Sequence, residues 1–509
     1  MLHLTGSLSW ITVLCIGLGA SIVYTICLTI WRLYFSPLAK YPGPKIAAAT
    51  LWYELYFDLI KGGQFFQEID RMHSVYGPIV RINPYELHLK DPNYYDEILA
   101  GYTRRRDKYG WFVGKASGNS MFGTVAADVH RKRRSALNPF FSKKSITAIE
   151  PVIQDRIDEL CGVMRKHIQS REPIELHMAY MAVSLDIISH HAFGQSLGVL
   201  KQSQAETQKW KTSIQGAVQA SVFSRFFPTV GNTLMLLPLS VVKAIGSPAA
   251  FLLQYREDIK AQVQKMLSQR DDEEKSNKTI FGEMMVSNLP PSEKSIDRLV
   301  DEGLVVMAGG GEPTAQTLAV LSFHLISDPN ILAQLKAELK QAMPDASQIL
   351  SCSRLEQLPY LHAVISEAHR ISATFSTRLI RVAPDETLRF HGWEIPPGIP
   401  VSMSPHHVHL SPEYFPEPTR FMPERWLPDS PLPGNEKFLT PFSKGSRQCI
   451  GLNLANSELY QVTATVFRRF DFELFETSIR DVTITWDAFV GQFPRDSKGV
   501  RAKVVGEHH

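Results

Sequence analysis

A lone cysteine in a glycine-bearing turn is the residue of this chain with the clearest chemical use. Cys449 lies in the segment Phe442-Ser-Lys-Gly-Ser-Arg-Gln-Cys-Ile-Gly451, directly before a helical pattern over residues 452–467. Backbone N–H groups and the positive end of a helix favour a thiolate at such a position. A soft, anionic sulfur with no second cysteine nearby suits one axial bond to haem iron and not a four-ligand zinc site. The alternative is a buried, inert cysteine, the commonest role of an isolated one.

An ion pair is predicted in the segment that precedes this turn. Glu367 and Arg370 are one helical turn apart and follow the apolar stretch 361–365, which indicates burial. An exposed pair of this kind contributes little to stability, whereas a buried pair needs further polar partners. The later Pro423-Glu-Arg-Trp426 can supply Arg425 as such a partner. We expect this trio to be structural and to brace the Cys449 loop.

The composition is that of a globular protein with a large core. The chain has 509 residues, of which 44% are hydrophobic and 21% are charged. The formal net charge of +3 gives no indication of nucleic-acid binding. The five cysteines are far apart or lie in the apolar N-terminus, so they predict no disulfide framework and fit a reducing compartment.

The N-terminus carries a segment long enough to cross a bilayer. Residues 10–31 are free of charge and mostly apolar, with Trp10 and Trp31 where interfacial aromatic residues belong. Arg32 and further basic residues follow the segment and none precedes it, which predicts a cytoplasmic body. A cleaved signal peptide is the alternative, but it would require a basic start and a shorter apolar stretch.

The pattern after this anchor predicts one catalytic domain. Residues 1–9 would be a short lumenal N-terminus, residues 32–45 form a proline-rich linker, and residues 46–509 form the domain. A small hairpin is predicted over residues 76–89, and helical periodicity dominates from about 146 to 323. Strand and turn signals follow after residue 371. The fold class is therefore mainly α with a smaller β region.

Taken together, these motifs resemble the cytochrome P-450 family, of the fungal microsomal, trichodiene-oxygenase-like type. The family motifs are matched by the Cys449 segment, by Glu367-x-x-Arg370 and by Pro423-Glu-Arg-Trp426. The resemblance implies the cytochrome P-450 fold, one N-terminal transmembrane helix and haem b with Cys449 as its axial thiolate. Such a thiolate pushes electron density onto the iron and favours O–O cleavage.

The resemblance also implies how the haem is held. His130 and Arg134 match the family's Trp-x-x-x-Arg pattern, with histidine in place of tryptophan, and they would approach the propionates together with Arg381 and Arg447. Arg378 is a rival for Arg381. Residues 131–133 would form a solvated basic face or attract an acidic reductase. The cofactor-binding residues implied by the family are therefore His130, Arg134, Arg381, Phe442, Arg447 and Cys449.

The helix that would activate oxygen departs from the family pattern. A long helix is predicted from Asp301 to Ser327, and it contains Glu312 where the family has its acid. Pro313 replaces the usual first threonine and would crowd the carbonyl of the preceding turn, so a kink or groove is expected. Proton delivery needs an acid and a hydroxyl, for which Glu312 and Thr314 are the catalytic candidates.

The expected function is insertion of one oxygen atom from dioxygen into a lipophilic natural product, such as a terpenoid or a polyketide. The family implies an NADPH-dependent flavoprotein reductase as partner and the endoplasmic-reticulum membrane as location. Because of Pro313, an isomerase or dehydratase that acts without a reductase is the alternative, and a non-catalytic haem-bearing scaffold is a third reading. Four segments match family regions that line the substrate pocket: Trp111–Val113, Met121–Phe122, Ala373–Ser376 and Trp486–Phe489.

Overall fold

The structure is a computed structural model that describes residues 10–113, 118–246, 249–268, 279–430 and 435–508. The expected lumenal segment 1–9 lies outside the described residues. The first helices along the chain are α1 Trp10–Ile30, α2 Lys45–Ala49, α3 Trp52–Leu55, α4 Phe65–Tyr76, α5 Tyr95–Ile98, α6 Gly110–Val113, α7 Ala127–Leu137, α8 Lys143–Ala148, α9 Glu150–Ser170, α10 Leu176–Phe193 and α11 Gln204–Phe226. The later ones are α12 Pro228–Leu236, α13 Leu239–Ala244, α14 Ala249–Ser268, α15 Ile280–Val286, α16 Ile296–Ser327, α17 Pro329–Ala342, α18 Cys352–Leu355, α19 Pro359–Ser372, α20 Pro405–His409 and α21 Leu452–Arg469.

The strands are short and form a small β region, which confirms the predicted fold class. They are β1 Ile79–Arg81, β2 Leu87–Leu89, β3 Ile174–Glu175, β4 Leu379–Val382, β5 Leu388–Phe390, β6 Trp393–Ile395, β7 Pro400–Met403, β8 Phe470–Leu474, β9 Trp486–Ala488, β10 Val490–Gln492 and β11 Arg501–Glu507. One sheet has the order β1-β2-β7-β4 and another the order β3-β11-β8. The antiparallel pairing of β1 with β2 confirms the hairpin expected over residues 76–89.

The main core surrounds helix α16. This helix packs against α10, α14, α19 and α21. Helix α10 is buried along almost all of its length, and apolar residues occur on every one of its faces. A second, smaller core lies under the β1-β2-β7-β4 sheet. Helix α16 begins where the Ser295 hydroxyl accepts the Arg298 N–H and ends before Asp328, which caps α17.

Helix α1 has no buried side chain. Together with the helical turn Trp31–Phe35 it forms a mostly apolar helix of 26 residues, about 39 Å long at 1.5 Å per residue. Arg32 fixes its end to the body by donating to the carbonyl of Ala49 and by contacting the Tyr85 hydroxyl. By length and composition, this helix is able to cross a membrane.

Candidate active site

The cysteine loop is held in one conformation by backbone contacts. The N–H of Cys449 donates to the carbonyl of Phe442 over 2.9 Å. Gly445 has a φ of +71°, and a Cβ at this position would lie 1.8 Å from the carbonyl oxygen of Leu99. Only glycine is compatible with this conformation and this close approach. The glycine that marked the motif therefore allows the loop to dock on the segment after α5.

The structure places the Cys449 thiol in surroundings that desolvate it. Burial raises its pKa, while the Gly451 N–H and the charge of Arg134 act in the opposite direction. The expected thiolate-favouring groups are present, but desolvation outweighs them. A metal cation at the sulfur would supply the remaining stabilisation of the anion.

The Glu367–Arg370 pair is fully buried, as predicted. Both nitrogens of one edge of Arg370 bind the Glu367 carboxylate, at 2.8 and 2.7 Å. Arg425 approaches the same carboxylate at 3.3 Å, and the Trp426 indole donates to it over 2.9 Å. The backbone N–H of Met422 completes the set. Because the carboxylate is surrounded by donors, the buried charge is compensated.

This network connects α19 to the segment that carries the cysteine loop. Arg370 also donates to the carbonyl of His409, whose ring accepts the N–H of Thr440 two residues before Phe442. The ring of His369 meets the ring of Phe442 edge-on at 5.0 Å. Glu367, Arg370 and Arg425 are therefore connected to the cysteine loop by the contacts of His409 and His369.

Five cationic or basic side chains gather beside the loop. They are Lys108, His130, Arg134, Arg381 and Arg447, and none of them forms an ion pair with a carboxylate among the described residues. Burial and then the positive charges of their neighbours lower the pKa of His130 to about 2 and that of Arg381 to about 9. The pKa of Lys108 is well below its usual value for the same reasons.

These cations are held by carbonyl oxygens. Arg134 donates to the carbonyl of Gln448, next to the cysteine, over 2.6 Å. Arg447 donates to the carbonyls of Thr124 and Val125 at 2.7 and 2.8 Å, and its buried Nε has no partner in the described part of the chain. Carbonyls fix the orientation of the guanidinium groups but do not neutralise them. A buried cluster of this kind needs an anionic ligand.

The two propionates of a haem would supply that anion. The cations lie near the cysteine loop, since Arg134 binds the residue preceding Cys449 and its charge acts on the thiol. A sulfur ligand and a basic cluster beside it match a porphyrin with an iron centre and two carboxylates. The residues present therefore fit the haem that the motifs implied.

Two basic residues considered from the sequence have other partners. Arg378 is buried and pairs with Glu86 and Glu54 at 2.8 and 2.7 Å, so its charge is already compensated. Arg133 binds both oxygens of Glu293 and donates to a carbonyl, so the expectation that it belongs to a solvated basic face is wrong. The arginine fork binds a carboxylate at two points more favourably than it binds water.

Helix α16 continues through Pro313, and the three consecutive glycines before Glu312 have two different surroundings. A Cβ on Gly310 or Gly311 would lie within 3 Å of Ile188 or Leu185, so these glycines allow α10 to pack closely. A Cβ on Gly309 would meet no atom within 4 Å. The face of α16 around Gly309, which we call the open face, therefore borders free space.

Glu312 and Thr314 occupy different sides of α16. At about 100° per residue, Glu312 lies about 60° from Gly309 and Thr314 about 140° from it. Both side chains are buried. Thr317 lies about 80° from Gly309, and its hydroxyl donates to the carbonyl of Pro313 and contacts the Thr374 hydroxyl at 3.2 Å. Thr317 therefore lies nearer to the open face than Thr314, the hydroxyl predicted from the sequence.

Aromatic residues from three of the predicted pocket segments meet one another. The ring of Phe489 lies edge-on to the ring of Phe122 at 5.4 Å and to the ring of Phe375 at 5.6 Å. Phe375 follows Thr374, which contacts Thr317 on α16. Trp111, from the fourth segment, contacts Phe226 instead. The three phenylalanines form one apolar wall, which we call the phenylalanine wall.

Sequence reasoning missed three residues near the site, Lys108, Thr317 and His177. The ring of His177 lies 3.5 Å from the carboxylate of Glu312. For Lys108 no local signal existed, because it ends the charged run Arg104-Arg-Arg-Asp-Lys108, a pattern typical of a solvated loop. For His177 no signal existed, because it comes from α10, far from Glu312 in the chain. Contacts of that kind depend on how helices pack and not on local spacing.

Comparison with known proteins agrees with this geometry. A family model for cytochrome P-450 matches residues 42–497. A cytochrome P-450 monooxygenase of Sordaria araneosa (sdnE) is 40% identical over 95% of this chain and 96% of its own length. A tryptophan 6-hydroxylase of Fusarium equiseti is 39% identical over 94% of both chains, and a conidiogenone synthase of Penicillium rubens is 40% identical over 88% of this chain and 90% of its own. The matches extend over nearly the whole chain, and the chain belongs to the cytochrome P-450 family.

Proposed function

We propose that this monooxygenase inserts one oxygen atom from dioxygen into an apolar natural product, by hydroxylation or epoxidation, in secondary-metabolite biosynthesis. Members of the family carry a haem-thiolate cofactor and use a redox partner, dioxygen and a small-molecule substrate. The finer assignments are ours: haem b as the cofactor and an NADPH-dependent flavoprotein reductase as the electron source. The observation that carries the proposal is the uncompensated basic cluster beside the Cys449 loop.

The residues have separate roles in this proposal. Cys449 ligates the iron, and the propionates are held by Arg134, Arg381 and Arg447, with the imidazole of His130 beside them. Phe442 supports the cysteine loop through its carbonyl. Haem bound in this way supplies oxygen activation, which a thiolate ligand favours. The protein contributes orientation, exclusion of water and controlled proton supply.

The substrate class is inferred from the phenylalanine wall. Aromatic rings in edge-on contact present a rigid apolar surface. Pockets lined mainly by such side chains select apolar ligands and orient them through few polar groups. The relatives are named for tryptophan and for conidiogenone, so their names do not agree on one substrate. We propose a lipophilic molecule of terpenoid or polyketide size.

Reconstitution tests the proposed reaction. Full-length protein in membranes, supplied with a fungal reductase, NADPH and isotopically labelled dioxygen, is expected to add one labelled oxygen atom to an apolar product. The alternative reaction is a rearrangement of an already oxidised substrate, because Pro313 replaces the threonine that the family usually has. Conversion of a hydroperoxide without reductase or dioxygen, and no labelled product, would contradict the proposal. If the protein bound a substrate but did not convert it under any electron supply, it would be a haem-bearing scaffold without catalytic activity.

Glu312 and a threonine hydroxyl are proposed to deliver protons, with Thr314 as the assigned hydroxyl. Thr314→Ala is expected to divert about tenfold more NADPH to hydrogen peroxide, because a positioned proton donor contributes about 10²- to 10⁴-fold to rate. The haem content is expected to stay unchanged. Product and peroxide formed per NADPH are the measurements.

Thr317→Ala is the matched comparison for that variant. It removes the same hydroxyl from the same helix, one turn after Pro313. If Thr317→Ala diverts NADPH to peroxide while Thr314→Ala does not, the assignment to Thr314 is wrong and Thr317 supplies the hydroxyl.

We propose that helix α1 anchors the protein in the endoplasmic-reticulum membrane with the catalytic domain in the cytoplasm. The acceptor sequence Asn277-Lys-Thr279 is then expected to remain unglycosylated in fungal cells. A chain whose residues 1–31 are replaced by a cleavable signal peptide is the control, because its body enters the lumen. An endoglycosidase-sensitive shift of the natural chain would reverse the proposed topology.

A further inference from the structure

Two acidic side chains near the start of helix α16 hold a loop from another part of the chain. Oδ2 of Asp301 accepts the backbone N–H of Asn119 over 2.8 Å, and Oε2 of Glu302 accepts the backbone N–H of Met121 over 2.8 Å. Both acidic side chains are buried. Hydrogen bonds that end on a carboxylate are among the strong ones in proteins. They fix residues 118–124, which we call the clamped loop, to α16.

The clamped loop has a backbone that can reach these carboxylates. Gly118 has a φ of +47°, and a Cβ at this position would lie 2.4 Å from the carboxyl group of Asp301. Glycine allows both this conformation and this close approach. Arg133 of α7 donates to the carbonyl of Asn119 over 2.7 Å and to the hydroxyl of Thr124 over 2.8 Å. Helix α16 thus holds N–H groups of the loop, and α7 holds its oxygens.

The polarity of the helix alone does not explain the two acids. Negative side chains stabilise the first turn of a helix, and this effect falls off beyond it. Asp297 lies in that first turn, and its side chain is 85% exposed. Asp301 and Glu302 lie later in the helix and are buried, where Arg256 of α14 contacts Asp301 and an arginine of α16 lies 2.7 Å from Glu302. The arginines compensate carboxylates that the loop N–H groups use as acceptors.

The clamped loop carries one part of the phenylalanine wall. Phe122 follows directly after Met121, whose N–H is bound by Glu302. The carbonyl of Phe122 contacts the amine of Lys108, whose Nζ lies 3.5 Å from the centre of the Phe122 ring. The ring of Phe122 then meets the ring of Phe489 at 5.4 Å. Since Phe489 lies between β9 and β10, the spacing of the wall depends on where α16 holds the clamped loop.

We propose that Asp301 and Glu302 are positioning residues that determine which substrates fit the pocket, by holding Phe122 in the phenylalanine wall. They act through the clamped loop and take no part in the chemistry. While the loop is held, the wall is closed and selects compact apolar ligands. When the loop is released, Phe122 withdraws, and compact ligands lose a contact that bulky ones do not need. This inference deepens the proposed function and rests on it, because it concerns the substrate pocket of the same site.

Two azoles of different size test the proposal on the holoenzyme without turnover. Each azole nitrogen binds the iron while the rest of the molecule occupies the pocket, so the shift of the Soret band reports a Kd. Glu302→Ala is expected to weaken the compact 4-phenylimidazole about tenfold, because the loop loses a hydrogen bond to a charged group. The bulky clotrimazole is expected to bind as it does to the wild type. Equal weakening of both azoles, or an unchanged ratio of the two Kd values, would contradict the proposal.

Glu302→Gln and Asp297→Ala are the matched comparisons. Glu302→Gln keeps an oxygen acceptor for the Met121 N–H, so the wild-type ratio of Kd values is expected to return. Asp297→Ala removes an acid from the same helix that shares the partner Arg256, at 3.4 Å, but has no hydrogen bond to the clamped loop among the described residues. It should also give the wild-type ratio. A tenfold shift in Asp297→Ala would attribute the effect to the charge beside Arg256 and overturn the role of the loop.

Amide hydrogen exchange measures the hold on the loop directly. Peptides that cover residues 118–124 are expected to exchange about tenfold faster in Glu302→Ala and in Asp301→Ala, because each variant frees one backbone N–H. Asp301→Asn and Glu302→Gln, which keep an acceptor oxygen, should exchange as the wild type does. Unchanged exchange in both alanine variants would rule out the clamp. Should Glu302→Ala bind no haem, Asp301→Ala decides the azole result, since its partner Arg256 is 29% exposed and stays in contact with water.

The measurements separate this inference from the function on which it rests. If the wild-type protein forms no oxygenated product with a reductase, the proposed function fails, and the azole ratio still decides whether the two acids position Phe122. If product forms and the alanine variants keep the wild-type azole ratio, the positioning role fails alone.

Discussion

Cys449→Ser is expected to remove the carbon monoxide difference band of a thiolate-ligated haem and to reduce product formation below detection. A serine hydroxyl is neither soft nor anionic at neutral pH, so it cannot supply the electron density that favours O–O cleavage. The change is small in volume, and the loop is held by backbone contacts of Gly445 and Phe442. We therefore expect the fold to survive. The measurements are the reduced carbon monoxide spectrum and labelled-oxygen incorporation.

Cys352→Ser is the control for that change. Cys352 is also a free cysteine, buried at 6% exposure in α18, and burial raises its pKa to about 12. Its replacement should leave both the spectrum and the product yield at wild-type values. A Cys449→Ser variant that kept the thiolate band would assign the axial ligand elsewhere and overturn the site described here.

The parts of the site that depend on local spacing could be predicted from the sequence. The Cys449 turn, the Glu367–Arg370 pair and its partner Arg425 are each encoded within a short motif. A short motif predicts local structure well when its residues allow only one backbone conformation. Gly445, with its positive φ, is such a residue in the Cys449 turn. The hairpin of β1 and β2 was predictable from the alternating pattern of residues 76–89.

Contacts between distant helices could not be predicted from the sequence. The close approach of α10 to Gly310 and Gly311 of α16 is one such contact. The pairing of His177 with Glu312 and the neutralisation of Arg133 by Glu293 depend on which helix faces meet. Helix periodicity predicts that a face is buried but not which residue of another helix it contacts.

Arg370→Ala is expected to abolish haem incorporation by destabilising the fold. The change leaves the fully buried Glu367 carboxylate without its two-point partner, which costs about 3–5 kcal/mol. That is a large part of the roughly 5–15 kcal/mol by which folded domains are stable. The loss also frees the carbonyl of His409, whose ring holds Thr440 before the cysteine loop. Thermal unfolding and bound haem per chain are the measurements.

The chain provides a matched comparison for this effect in Arg420→Ala. Arg420 pairs with Glu417 at the same three-residue spacing, but the two side chains are 66% and 61% exposed. Exposed pairs are worth about 0–1 kcal/mol, so haem content should remain at the wild-type level. The difference between the two variants isolates burial as the cause, because charge, residue type and spacing are the same. If Arg370→Ala were as stable as Arg420→Ala and bound haem equally well, the network around Glu367 would not brace the cysteine loop.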